Sequence, residues 1–97
     1  MIKHVVCFKL KDNSNFAKEE AKNVLLGMKG KVPSITNIEV GTDFLGSARS
    51  FDVILVITLK DKEMLEVYQN DKYHCEVVKP YMHSHITNSV AIDYEID

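Results

Sequence analysis

Phe51-Asp52-Val53-Ile54-Leu55-Val56-Ile57-Thr58-Leu59-Lys60 is rich in β-branched residues and apolar on both faces of a two-residue period. A strand of this kind lies inside a sheet and is covered on both sides. The opening stretch Ile2 to Leu10 alternates as well. Ile2, His4, Val6, Phe8 and Leu10 point one way, and Lys3, Val5, Cys7 and Lys9 point the other. The first side is apolar apart from His4. The second, with Val5 and Cys7 between lysines, is too apolar for a free surface and too polar for the core of a monomer. Helices on one side and a partner sheet on the other would satisfy both strands.

Between and beyond these strands the pattern changes. Lys11-Asp12-Asn13-Ser14-Asn15 offers short polar side chains for the open amides of a helix start. Phe16, Ala17, Ala21, Val24, Leu25 and Met28 then recur by threes and fours, and Gly30 with Pro33 ends the helix. From Ile35 to Leu45 a looser alternation through Ile38 and Val40 predicts a second strand, bent near Gly41, with a turn at Gly46-Ser47-Ala48. Asp61 caps a second helix through Met64, Leu65 and Tyr68, which breaks at Asn70-Asp71. A further helical stretch carries His74, Val77 and Val78 and closes at Pro80, and His83 to Glu95 returns to strand. The order β-α-β-β-α-β predicts one α+β domain over residues 1–97, a ferredoxin-like protomer with an antiparallel four-stranded sheet.

Composition narrows the function classes. The 97 residues suffice for one hydrophobic core, and 45% hydrophobic with 27% charged residues is an ordinary globular balance. The net charge is −2, and the 12 cations include a single arginine, Arg49, with the lysines scattered. Nucleic acid is therefore not expected as a partner, because it demands a concentrated basic surface. No membrane partner is expected either, since the longest apolar run, Val53 to Ile57, falls far short of the roughly 20 residues that span a bilayer. The first residues show no charged segment leading into a long apolar one, so a cytoplasmic location is expected. Cys7 and Cys75 have no CxxC partner and read as two buried or half-buried thiols.

Three residues can pass protons near neutral pH: His4 on the first strand, Tyr68 on the second helix and His74 beyond the break. Six residues across a helix break can bring Tyr68 and His74 over one end of the sheet, near His4. Each has an ordinary alternative. A lone histidine on an apolar strand face is commonly a structural residue with one hydrogen bond, and a tyrosine on a buried helical stripe is commonly core. His74 could simply cap a helix. His83 and His85, at alternate positions of the expected strand start, could chelate a divalent ion from one side, but no third ligand stands near and no metal is expected. Asp93 and Glu95 read as a solvated strand end. No nucleophilic triad, phosphate-binding loop or cofactor motif is identifiable, and no cofactor is expected.

The opening Met1 to Leu10, the Val32-Pro33-Ser34-Ile35 turn before Glu39-Val40-Gly41, Phe51-Asp52, Leu65-Glu66-Val67-Tyr68 with His74, and Val90-Ala91-Ile92-Asp93-Tyr94 together resemble the stress-responsive α/β-barrel (Dabb) family. That resemblance implies a protomer that pairs with a second copy into a dimeric α/β barrel. A plant member of the family closes linear polyketides by an aldol reaction. By analogy with it, His74 would be the general acid/base, Tyr68 would hold the substrate carbonyl, and His4 would line the pocket. Two of its histidines are missing here: a His-Pro step is replaced by Asp71-Lys72, and Val53 stands where a pocket histidine would be.

Two functions compete. In the first, a small apolar or carbonyl-bearing molecule binds between helices and sheet, in a pocket lined by His4, Val6, Phe8, Leu10, Leu25, Leu55 and Ile57, with His74 and Tyr68 as catalytic residues. In the second, the chain is a dimeric stress-associated or accessory protein and His4, Tyr68 and His74 form a structural set. A monooxygenase, suggested by fold analogy alone, would lack its usual tryptophan, since the chain has none.

Overall fold

Ser14 opens the first helix, α1 (Asn15–Leu26), by accepting the Ala17 amide at 3.2 Å, and Asp12 in turn accepts the Ser14 amide at 3.0 Å. Asp61 does the same for α2 (Lys62–Gln69), taking the Met64 amide at 2.9 Å. The computed structural model describes residues 1–96, and among them the strands are β1 (Ile2–Leu10), β2 (Ile35–Thr42), β3 (Val53–Leu59) and β4 (Ile86–Glu95). They form one antiparallel sheet in the order β2-β3-β1-β4, the ferredoxin-like arrangement. No described helix is long and apolar enough to cross a membrane.

Register divides the sheet into two faces. Val6 lies opposite Leu55 and Ala91, while its neighbour Val5 lies opposite Val56 and Ile92. Phe8, Leu10, Val53, Leu55, Ile57 and Leu59 are buried with Ala21, Leu25 and Met28 from α1 and the turn after it. Burial of one such side chain is worth roughly 1.5–3 kcal/mol. On the other face Ile54, Val90, Ile92 and Tyr94 remain exposed around Val5, Cys7 and Val56. Phe16, expected in the α1 core stripe, is 72% exposed and stands at the edge of a cleft between α1 and α3 instead of in the core.

Two irregularities matter. The β1–β4 register shifts between Lys9 and Leu10, and on the other side of β1, where its pairing with β3 ends at Phe8 and Val53, the buried Asp52 carboxylate accepts the Leu10 amide at 2.7 Å. In β2 the shift falls between Ile35 and Asn37, so the expected bend at Gly41 is not there. Gly41 instead pairs in register with Ile54, whose Cγ2 would lie 3.2 Å from an added Cβ.

The helical stretch after Asp71 is longer than the sequence suggests. It runs through a π-helical turn, His74–Val78, directly into α3 (Lys79–His85), and β4 begins only at Ile86. Pro80 does not close it. The proline sits in the first turn of α3, where a missing amide is tolerated and its fixed φ suits the helix.

Candidate functional site

The π-helical turn positions the chemistry. Its wider loop of backbone follows Asp71, whose carboxylate accepts the amides of Tyr73 at 2.8 Å and His74 at 3.2 Å and so fixes the start of the segment. His74 then stacks on Tyr68, ring centroids 4.4 Å apart, and Tyr68 also meets His4, tilted by 59°, at 5.6 Å. The three groups singled out in the sequence therefore form one continuous column of rings from β1 across α2 to the π-helical turn.

Each ring is held differently. The His4 Nδ1 bonds the Asp93 carboxylate directly across the β1–β4 pair. Because a carboxylate only accepts, that nitrogen carries a hydrogen. Asp93 is exposed, as the sequence suggests, and it also holds His4. Its role was hidden in the sequence because it depends on strand register, not on any local motif. Glu95 does stay in solvent, in an exposed ion pair with Lys62 at 3.2 Å.

Tyr68 is 1% exposed, and its hydroxyl is directed into the core, 3.8 Å from the Met28 sulfur. Burial, with the Asp71 charge adding to it, pushes its pKa up, so it remains a phenol at neutral pH and has a hydrogen to donate. For His74, burial and then the Lys79 charge hold the pKa below the ordinary histidine value. Its Nδ1 is buried without a hydrogen-bond partner. The Gln69 carbonyl lies near enough to favour the charged ring but out of hydrogen-bond alignment, and it already accepts the Cys75 thiol at 3.2 Å.

Beside this column lies a cavity of about 390 Å3 between α3 and the sheet. His4, Val6, Phe8, Leu25, Leu55, Tyr68 and His74 line it, as the sequence suggests. Leu10 and Ile57 do not. Leu10 faces a separate cleft between α1 and α3, and Ile57 is 0% exposed in the core beneath the sheet surface. The remaining wall comes largely from Val78, Lys79, Met82, His83 and Ile86. Of these, Met82 and His83 lie on the helix beyond Pro80, a signal masked by taking Pro80 as a helix end.

The same correction separates His83 from His85. On a helix, positions two apart diverge, and His83 lines the large cavity while His85 lines the smaller cleft, stacked on Tyr81. The one-sided His83/His85 arrangement considered for a strand is therefore not formed. Among the described residues no group of three metal-ligating side chains occurs. Cys7 and Cys75 are both half-buried free thiols.

A family model described as the stress responsive A/B barrel domain matches residues 2–96. The chain belongs to the stress responsive A/B barrel family. No curated protein matches its sequence significantly. Among solved structures, a dimeric ferredoxin-like protein of unknown function from Thermobifida fusca matches at 20% identity with a TM-score of 0.82, covering 98% of this chain and 90% of that one. A Dabb family protein from Mesorhizobium loti matches at 17% identity and 0.83, covering 98% and 95%. Hydroxynitrile lyase from Passiflora edulis matches at 16% identity and 0.81, covering 99% and 93%. At these identities the likeness establishes the fold this family member shares with them.

Proposed function

We propose that this A/B barrel protein binds a small apolar, carbonyl-bearing molecule in the cavity and moves a proton at the carbon next to that carbonyl. The observation that carries the reading is the cavity itself, about 390 Å3 with the His4–Tyr68–His74 column along its wall. That volume is in the usual range for small-molecule sites, and about half of the wall is apolar. His74, kept neutral by burial, is the base. With Nδ1 enclosed, its Nε2 is the nitrogen left for a substrate. The Tyr68 hydroxyl has only a thioether partner. A carbonyl reaching past Leu25 is a far better acceptor, and it would draw the phenol onto the developing enolate. His4, fixed by Asp93, lines the wall. A positioned base of this kind contributes roughly 10²–10⁴-fold.

A second reading has a specific observation in its favour, the Tyr68 hydroxyl turned to Met28 rather than to solvent. There the ring column is a structural set and the chain is a non-enzymatic, stress-associated accessory protein. Titration with 4-phenylbutan-2-one, followed by NMR on the Met82 methyl and by melting temperature, separates the two. The binding reading expects saturable shifts, and it expects Tyr68→Phe to weaken affinity several-fold while lowering the melting temperature little, because an O–H to sulfur bond is weak. No shift in wild type, with a large melting loss in Tyr68→Phe, favours the structural set.

We also propose that two copies pair through the exposed sheet face formed by Ile54, Val90, Ile92 and Tyr94. The Thermobifida fusca relative is described as dimeric.

A further inference from the structure

We propose that the natural occupant of the cavity is a carboxylic acid, its carboxylate held at the mouth by Lys79 and His83 and its apolar body on the sheet. This names the ligand class of the site proposed above and rests on that reading. Lys79 and His83 stand one turn apart on α3, and both line the cavity. Both are exposed, which puts their polar ends at the rim, while Met82 between them is 3% exposed and forms floor. The charge is therefore graded, cationic at the mouth and apolar beneath, as an amphiphilic acid requires.

No Asp or Glu lines the cavity. Two carboxylates bonded to the His4 and His74 segments are engaged there: Asp93 bonds His4, and Asp71 accepts the backbone amides of Tyr73 and His74. Lys79, close enough to His74 to oppose its protonation, has no carboxylate within ion-pair distance among the described residues. One permanent cation matches the single charge of a carboxylate better than the double charge of a phosphate monoester. At about 30 Å3 per water-sized group, the volume holds roughly a dozen non-hydrogen atoms.

The test compares 3-phenylpropanoate with 3-phenylpropanamide, equal in size and shape but different in charge, by calorimetry and by NMR on the Met82 methyl. The acid should bind roughly tenfold tighter or more. Lys79→Met, which keeps the apolar stem, should erase that difference by weakening the acid roughly tenfold more than the amide. Equal affinity of the two probes overturns the carboxylate assignment while leaving the cavity reading standing. A preference for the acid that survives both Lys79→Met and His83→Gln overturns the assigned residues. Binding of neither probe overturns this proposal and the cavity reading together.

Discussion

At His74 two influences act in the same direction, since burial and the Lys79 charge both disfavour the imidazolium. The unfolded chain has no such penalty, so its histidine takes up a proton near the ordinary value of about 6.5 while the folded ring is still neutral. The unfolded state then binds more protons, and stability must fall as pH drops below that value until the folded ring protonates too. Urea midpoints measured between about pH 7.5 and 5.5 should decline in wild type, and His74→Gln should flatten the decline. An unchanged slope in His74→Gln contradicts the assignment. Tyr68 and His74 were readable as candidates from residue type and spacing. Asp93 was not, because only the β1–β4 register brings it to His4.

At the scale of elements, helix starts were legible because a capping side chain is a local device, as Ser14 and Asp61 demonstrate. The π-helical turn was not, since one wider turn leaves no periodic mark and Pro80 reads as a stop until the geometry around it is known. That single misreading hid Met82 and His83 from the site and placed His83 and His85 on a strand. Asp52 is another element-level device. It takes the Leu10 amide where the ladder slips, donates its own amide to the Phe8 carbonyl at 2.8 Å and accepts the Asp43 amide at 2.9 Å. Asp52→Ala should cost about 1–3 kcal/mol by orphaning a buried amide, a melting loss of several degrees, with Asp52→Asn costing less. Equal melting temperatures for wild type and Asp52→Ala would contradict that role.

For the whole molecule, apolar residues on both faces of β3 and half of β1 already demanded two coverings. The helices supply one, burying Val53, Leu55 and Ile57. Across the other face Val90, Cys7 and Ile54 align from β4 through β1 to β3, and Ile92, Val5 and Val56 form the next row. A second copy in that position predicts a solution mass near twice 11.0 kDa by light scattering. Ile54→Lys should break the pair or cause aggregation, and a wild-type mass of one chain would contradict it. The cavity was less legible than either face, for its volume depends on how far α3 stands from the sheet, and no pattern of residue types encodes that distance. The most direct test of its chemistry is the exchange of the protons next to the carbonyl of 4-phenylbutan-2-one in D2O, followed by NMR with wild type and with His74→Ala. The account predicts exchange accelerated by wild type and reduced to the buffer rate by His74→Ala, with a melting temperature almost unchanged because the buried Nδ1 makes no hydrogen bond. Exchange at the buffer rate with wild type, or equal acceleration by His74→Ala, would contradict it.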